Sequence, residues 1–314
     1  MDLFFGLMGL MKYKDTIIGG LLLFLFIIAL VVQYEPQAQS ADAVLPSGSI
    51  FPQKGIAVVD LYGPIAFPQY STSVGPMGAN AVLDQLYKIK DDTNIKGLIL
   101  RINSPGGTVA ASQEIYQAVK AVKAALNIPI VAQIGDVGAS GAYYAALGAD
   151  TIFANPGSLV GSIGVIIGGL SIYELAQKHG VDYNVYKSGA YKDLLSMWRP
   201  PTAEEQTLLQ TVIDDVYEQF KSDFIDSRKI SADHATTLAQ GQLYTGNQAL
   251  ELQMVDKIGG YKDALVYIGE LTGLGANPNV ISKVSYGFSD VFQLLNNSFQ
   301  GQSLFNATAV PQLR

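Results

Sequence analysis

Pro129-Ile130-Val131-Ala132-Gln133-Ile134-Gly135-Asp136-Val137-Gly138-Ala139-Ser140-Gly141-Ala142-Tyr143-Tyr144 joins a hydrophobic run to a serine set among small residues. The β-branched run predicts a strand over 129–134. The small residues predict a tight turn and then a helix over about 139–147. Ser140 then stands where strand turns into helix, with an exposed hydroxyl. Upstream, 97–102 (Gly-Leu-Ile-Leu-Arg-Ile) reads as a buried strand. The turn Asn103-Ser104-Pro105-Gly106-Gly107 follows it, then a helix over 110–125 with Ile115, Val119 and Val122 on one side. Before these come a strand at 56–62, ended by Gly63-Pro64, and a helical spacing over 80–90.

Downstream the alternation continues. A short strand is expected at 151–154, a glycine-rich apolar segment at 159–170, a helix at 172–179 and another strand at 181–186. Thr202-Ala203-Glu204-Glu205 has the form of a capping box that opens a long amphipathic helix to about Arg228. Shorter helices are expected at 231–239, 246–252 and 260–271. Strands alternating with helices through short crossovers make this an α/β domain over 55–272. From Gly273 the texture turns to Asn, Gly, Ser and Gln, so 273–314 reads as a peripheral C-terminal extension.

Of the 314 residues, 49% are hydrophobic, enough for a sizeable core. A net charge of -7 argues against a nucleic-acid partner, because phosphate binding wants a basic stripe. No cysteine is present, so disulfides and thiolate zinc sites are excluded. With two histidines, a histidine-rich metal site is not expected, and no cofactor is called for.

The N-terminal segment, 1–33, is apolar. Residues 17–32 carry no charge, and with Thr16 and Gln33 the stretch is ~27 Å long as a helix, near the thickness of a bilayer core. Lys12 and Lys14 precede it, which orients the short N-terminus to the cytoplasm and the rest outside the cell membrane. An anchor at about 16–33 and a linker at 34–54 are therefore expected. Ala41-Asp42-Ala43 has the form of a signal-peptide cleavage site, and cleavage there is the alternative; the main domain is exported on either reading.

A serine nucleophile needs a base. Ser140 reads either as that nucleophile or as a capping, tight-packing serine. His179 ends a helix and His234 sits in a polar stretch, so neither suits a Ser–His–Asp triad. A lysine serves when burial removes water from it. Lys192, followed by Leu194, Leu195, Met197 and Trp198, has the more apolar neighbourhood, and Lys187 in the same motif stays its rival. The Pro-Gly-Gly turn reads as an oxyanion hole or as an ordinary strand-to-helix turn. Ser162, a lone hydroxyl in Gly161-Ser162-Ile163-Gly164, holds the lysine amine or satisfies a backbone carbonyl.

Together these blocks resemble the signal peptide peptidase A family, within the Clp protease/crotonase fold superfamily. The resemblance covers roughly 55–270. Supporting matches are Arg199, Thr202, Glu204, Glu205, 241–246 (Gly-Gln-Leu-Tyr-Thr-Gly), Ala249 and 255–260 (Val-Asp-Lys-Ile-Gly-Gly). It departs from the common pattern at Gly138, Ala142 and Ala190. The resemblance implies a spiral of ββα units, the single-domain version of the family, and a serine–lysine endopeptidase. Ser140 would be the nucleophile, Lys192 (rather than Lys187) the general base, the Gly107 N–H the oxyanion donor, and Ser162 the contact of the lysine. It further implies a homo-oligomeric ring facing the membrane, with sites between neighbouring subunits. The substrates it implies are hydrophobic peptides, the remnants of cleaved signal peptides. Competing readings are a catalytically inactive membrane scaffold or peptide-binding protein, an acyl-CoA hydratase or isomerase, and a peptidase that cuts a stomatin-like partner.

Overall fold

The computed structural model of the chain describes residues 54–67 and 78–281. The expected anchor at 16–33, nearly all of the linker and residues 282–314 lie outside the described residues. Among the described residues no helix is long and apolar enough to cross a membrane.

Eight strands form one sheet among the described residues. They are β1 (Gly55–Tyr62), β2 (Ile95–Ser104), β3 (Ile130–Ala139), β4 (Thr151–Ala154), β5 (Leu159–Gly161), β6 (Leu243–Thr245), β7 (Lys257–Ile258) and β8 (Val280–Ile281). Every pairing is parallel except β5 with β6. The helices are α1 (Ala79–Lys90), α2 (Val109–Leu126), α3 (Gly141–Ala146), α4 (Tyr173–Lys178), α5 (Ala203–Arg228), α6 (Ala232–Leu238), α7 (Gly246–Glu251) and α8 (Tyr261–Leu271). The mixed α/β architecture expected from the alternation is therefore present.

The sheet divides at β3. Its first half, Val131 to Ile134, pairs with β4, and its second half, Val137 to Ala139, pairs with β5. The strand was expected to stop at 134. It continues through Ala139 because Ser104 of β2 and all of β5 offer it partners. This extension carries Ser140 past the body of the sheet and delivers it beside β5.

Both faces of the sheet are covered. Leu98, Leu100, Ile102, Ile130 and Ile134 pack with α1, α2 and α3 on one face. Ile56, Ile99, Val131 and Phe153 pack against Ala264 and Ile268 of α8 on the other. Such burial of a whole Val, Leu, Ile or Phe side chain stabilises by roughly 1.5–3 kcal/mol before entropy is counted. The helix α3 is buried from end to end. Its Tyr143 donates a 2.7 Å hydrogen bond to the Met254 carbonyl and meets Phe224 of α5 edge-on at 5.9 Å. Burial pushes the Tyr143 phenol up, so it stays a neutral donor.

The helix α5 opens as its sequence demands. Thr202 Oγ1 accepts from the Glu205 N–H at 3.2 Å, and Glu205 Oε2 accepts from the Thr202 N–H at 2.8 Å. One sequence expectation needs correction. No strand forms at 181–186, and the segment has no strand partner among the described residues. Val181, Tyr183, Val185 and Tyr186 are exposed instead. At the start of the C-terminal extension, β8 pairs with β1 and adds an edge strand to the sheet.

Candidate active site

Ser140 is the residue between β3 and α3. Its φ of 52° and ψ of -126° hold it outside the regions an L-residue prefers. Such a conformation costs on the order of 1–3 kcal/mol and persists only where neighbours over-determine it. Here the Ser140 N–H donates to the Gly161 carbonyl at 2.7 Å, and its own carbonyl accepts from the Tyr144 N–H at 3.0 Å. The side chain is thereby turned away from the helix, and its hydroxyl makes no hydrogen bond among the described residues.

The Asn103–Gly107 turn closes on Ser140 from the β2 side. Gly106 has φ 96°. A Cβ there would stand 2.7 Å from both the Ala139 carbonyl oxygen and the Gly141 nitrogen, and 2.9 Å from Ser140 Cβ. Only glycine permits this approach. Gly141 is equally constrained: its added Cβ would meet Ser112 Oγ at 2.1 Å and the Gly107 nitrogen at 3.3 Å. The Gly107 and Gly141 N–H groups thus lie close together, and neither donates a backbone hydrogen bond among the described residues. Unpaired N–H groups beside an exposed hydroxyl are what an oxyanion hole requires. Gly107 was singled out from the sequence; Gly141 was not. Its signal was its place immediately after the serine, where the backbone N–H commonly serves this purpose.

A cleft of about 110 Å³ opens beside these groups, lined by Val109, Ser112, Val165, Ile166, Val216 and Phe220 together with Ser140 and both glycines. Tyr144 closes it. The Tyr144 ring stacks on Phe220 at 4.4 Å, and its hydroxyl donates to Asp223 at 2.5 Å. Asp223 also accepts from Tyr116 at 3.1 Å. Burial and the Asp223 carboxylate push the phenols of Tyr116 and Tyr144 up, so both remain donors. Val109, Val165, Val216 and Phe220 in its wall suit it to an apolar side chain.

Ser162 has φ 52° and is fixed by its N–H to the Gln242 carbonyl at 2.7 Å. It follows Gly161, which accepts from Ser140. Its hydroxyl makes no hydrogen bond among the described residues, so it does not satisfy a backbone carbonyl.

The lysines stand elsewhere. Residues 165–204 run as an arm over the surface, with Ile166 94% exposed, Leu170 70% and Tyr186 97%. Tyr183 stacks on Trp198 at 5.1 Å within it. Lys187 donates to the Ala190 carbonyl at 2.8 Å and to Asp193 at 2.5 Å. Its ammonium is thus committed to a salt bridge. Lys192 is exposed, its ammonium has no partner among the described residues, and it is not in the wall of the Ser140 cleft. The burial expected from its apolar neighbours is not supplied by the described residues. Ser140 and Gly107 thus line one cleft, Ser140 is bonded to Gly161 next to Ser162, and Lys192 is not in that wall. His179 ends α4 and His234 lies at the start of α6, as their contexts suggested.

Arg199 ties the arm down. Its guanidinium donates to Asp193 Oδ1 and Oδ2, both at 2.8 Å, and to Glu205 Oε1 and Oε2 at 2.6 and 2.8 Å. Arg199 first, with Lys187, holds the Asp193 carboxyl well below the usual carboxylate range. Arg199 and the Thr202 N–H lower Glu205 to about 2. A carboxyl depressed on folding stabilises above its unfolded value and loses that stabilisation as pH falls through the folded one. The clamp should therefore hold at the ordinary glutamate value of 4.5 and release as pH approaches about 2. Limited digestion with pepsin across that window checks it: cutting within 187–199 should rise as pH falls. In Arg199→Met it should be high throughout, and a wild-type pattern independent of pH would sink the idea.

Comparison with known proteins gives the family. The family model for Peptidase family S49 matches residues 122–274, and that for Clp protease matches 69–158. A putative protease of Synechocystis sp. is 40% identical over 222 residues, 71% of this chain and 76% of that one. A putative signal peptide peptidase SppA of Enterococcus faecium is 42% identical over 183 residues, 58% of this chain and 53% of that one. A chloroplastic serine protease SPPA of Arabidopsis thaliana is 29% identical over 236 residues, 74% of this chain and 35% of that one. The chain thus spans about three quarters of the first relative, half of the second and a third of the third. With the matched stretch running through Ser140, Ser162, the arm and α5, the chain belongs to peptidase family S49, the serine peptidases that include signal peptide peptidase A.

Proposed function

We propose that this chain is a membrane-anchored serine endopeptidase that digests hydrophobic peptides, the remnants of cleaved signal peptides. The observation that carries it is the preformed grouping of the Ser140 hydroxyl with the unpaired Gly107 and Gly141 N–H groups at the mouth of an apolar cleft. Ser140 Oγ attacks the peptide carbonyl and Lys192 takes its proton. The two N–H groups stabilise the resulting oxyanion. Lys192 then gives the proton to the departing amine, leaving an ester on Ser140, and water hydrolyses that ester. Ser162 holds the lysine amine in line.

Lys192 reaches Ser140 from a neighbouring copy in a homo-oligomeric ring. What supports this is the arm: it exposes the base together with a row of large apolar side chains that a second copy would cover. Covering them also removes water from Lys192, which a lysine base requires. The domain would be a Clp-like spiral of ββα units behind a membrane helix at 16–33, with the catalytic part outside the cytoplasm. The separation of Lys192 from Ser140 within one chain also favours a second reading, an inactive scaffold that binds peptides. Turnover of a set of fluorogenic peptides by the detergent-solubilised full chain separates the two. Leucine or alanine at the cleaved position should outrun aspartate by about tenfold or more, because Val109, Val165, Val216 and Phe220 line the cleft. Binding of all peptides with hydrolysis of none, in an assembled sample, would favour the scaffold.

A further inference from the structure

We propose that Arg199 is a positioning residue for the base: it clamps the loop that carries Lys192 onto the first turn of α5, and so fixes how that loop is presented to the Ser140 of the neighbouring copy. This rests on the reading of Lys192 as base. Among the described residues the other hydrogen bonds of 187–199 stay within the arm: Lys187 to the Ala190 carbonyl and Asp193, and the Ile172 N–H to the Met197 carbonyl at 2.8 Å. Around Lys192 the backbone makes only short-range turns, Lys192 N–H to the Gly189 carbonyl at 3.3 Å and Leu194 N–H to the Tyr191 carbonyl at 3.1 Å. The residue immediately after the base, Asp193, has both carboxylate oxygens engaged by Arg199, and the Arg199 guanidinium also reaches the Asp193 carbonyl at 3.4 Å. The other half of the fork grips Glu205, which is only 2% exposed and is itself fixed to the Thr202 N–H. The charged groups facing this bridge are Lys187 on Asp193 and Glu204 at the start of α5. Two carboxylates on one planar guanidinium define an orientation as well as a distance.

Lysine carries the same charge without that fork. From Ala203 to Val216 the helix runs ~20 Å at 1.5 Å per residue. The clamp therefore acts at a distance from the cleft and touches no reacting atom. Its effect is to register the Lys192 loop to a rigid element.

The test measures kcat and KM separately for Arg199→Met, Arg199→Lys, Asp193→Asn and Lys192→Met in the assembled full chain. A base displaced by about 1 Å loses on the order of 10²-fold in rate. Arg199→Met and Arg199→Lys are expected to lower kcat by about that factor, with KM changed less than about threefold. Asp193→Asn leaves Arg199 on Glu205 and the α5 cap in place, so it decides the matter if Arg199→Met does not assemble. It should also lower kcat and spare KM. Wild-type kcat in the assembled Arg199 and Asp193 variants, or a loss confined to KM, overturns the inference. An inactive Lys192→Met beside a fully active Arg199→Met overturns the inference alone. A fully active Lys192→Met overturns the reading of the base and the inference with it.

Discussion

Replacing Ser140 by alanine, or Lys192 by methionine, is expected to lower kcat on the order of 10⁴-fold or more while leaving KM within a few-fold. The two losses have one origin. The Ser140 hydroxyl is a weak nucleophile until a base removes its proton, so deleting either partner stops the same step. The double variant should accordingly be no worse than either single one. Neither side chain belongs to the buried core: Ser140 is half-buried at the cleft and Lys192 is exposed. Folding and assembly should survive, and circular dichroism with light scattering would show it. Lys187→Met is the informative contrast. Its ammonium is already held by Asp193 and the Ala190 carbonyl, so its removal loosens the loop without deleting the base. A Lys187 variant as inactive as the Lys192 variant, or an active Ser140→Ala, would dismiss the assignment.

Two dead proteins should make a live one. Ser140→Ala keeps Lys192, and Lys192→Met keeps Ser140. In a ring with head-to-tail contacts, each site takes its serine from one copy and its lysine from the next. Co-expressing the two at equal levels and letting them assemble at random should restore about a quarter of wild-type turnover. A working site needs an intact serine on one side and an intact lysine on the other, so recovery should peak at equal mixing and fall toward either pure variant. The structural reason is that Lys192 is not in the wall of its own Ser140 cleft and sits on an arm whose apolar side chains are uncovered. No recovery in mixed rings of confirmed composition would place both groups in one chain.

Much of the fold was legible because buried β-branched runs and helical spacings carry their own period. Thr151–Ala154 and the capping box at Thr202 were readable for that reason. The same signal misled at 181–186. Alternating Val181, Tyr183 and Val185 report a surface that wants covering, and a neighbouring strand is only one way to cover it. The end of β3 was missed for the opposite reason: Gly138 and Ala139 have weak strand preference, and the segment is held by pairing with β5 farther along the chain. At the site, the serine and the glycine turn were visible as local patterns. The pairing of Lys187 with Asp193 was not, since a salt bridge across a surface loop leaves no periodicity. Nor was the cleft wall from Val216 and Phe220, which depends on where α5 crosses α3.

On the proposed reading, the Lys192 that activates Ser140 comes from the next copy, since it is not in the wall of its own Ser140 cleft. A copy that has just crossed the membrane carries an open cleft and nothing to activate it. It is latent, and it needs no propeptide or inhibitor to be so. Activity appears only where copies accumulate, and it climbs more steeply than their number because assembly follows mass action. Dilution is then the off state, and crowding in the plane of the membrane is the trigger.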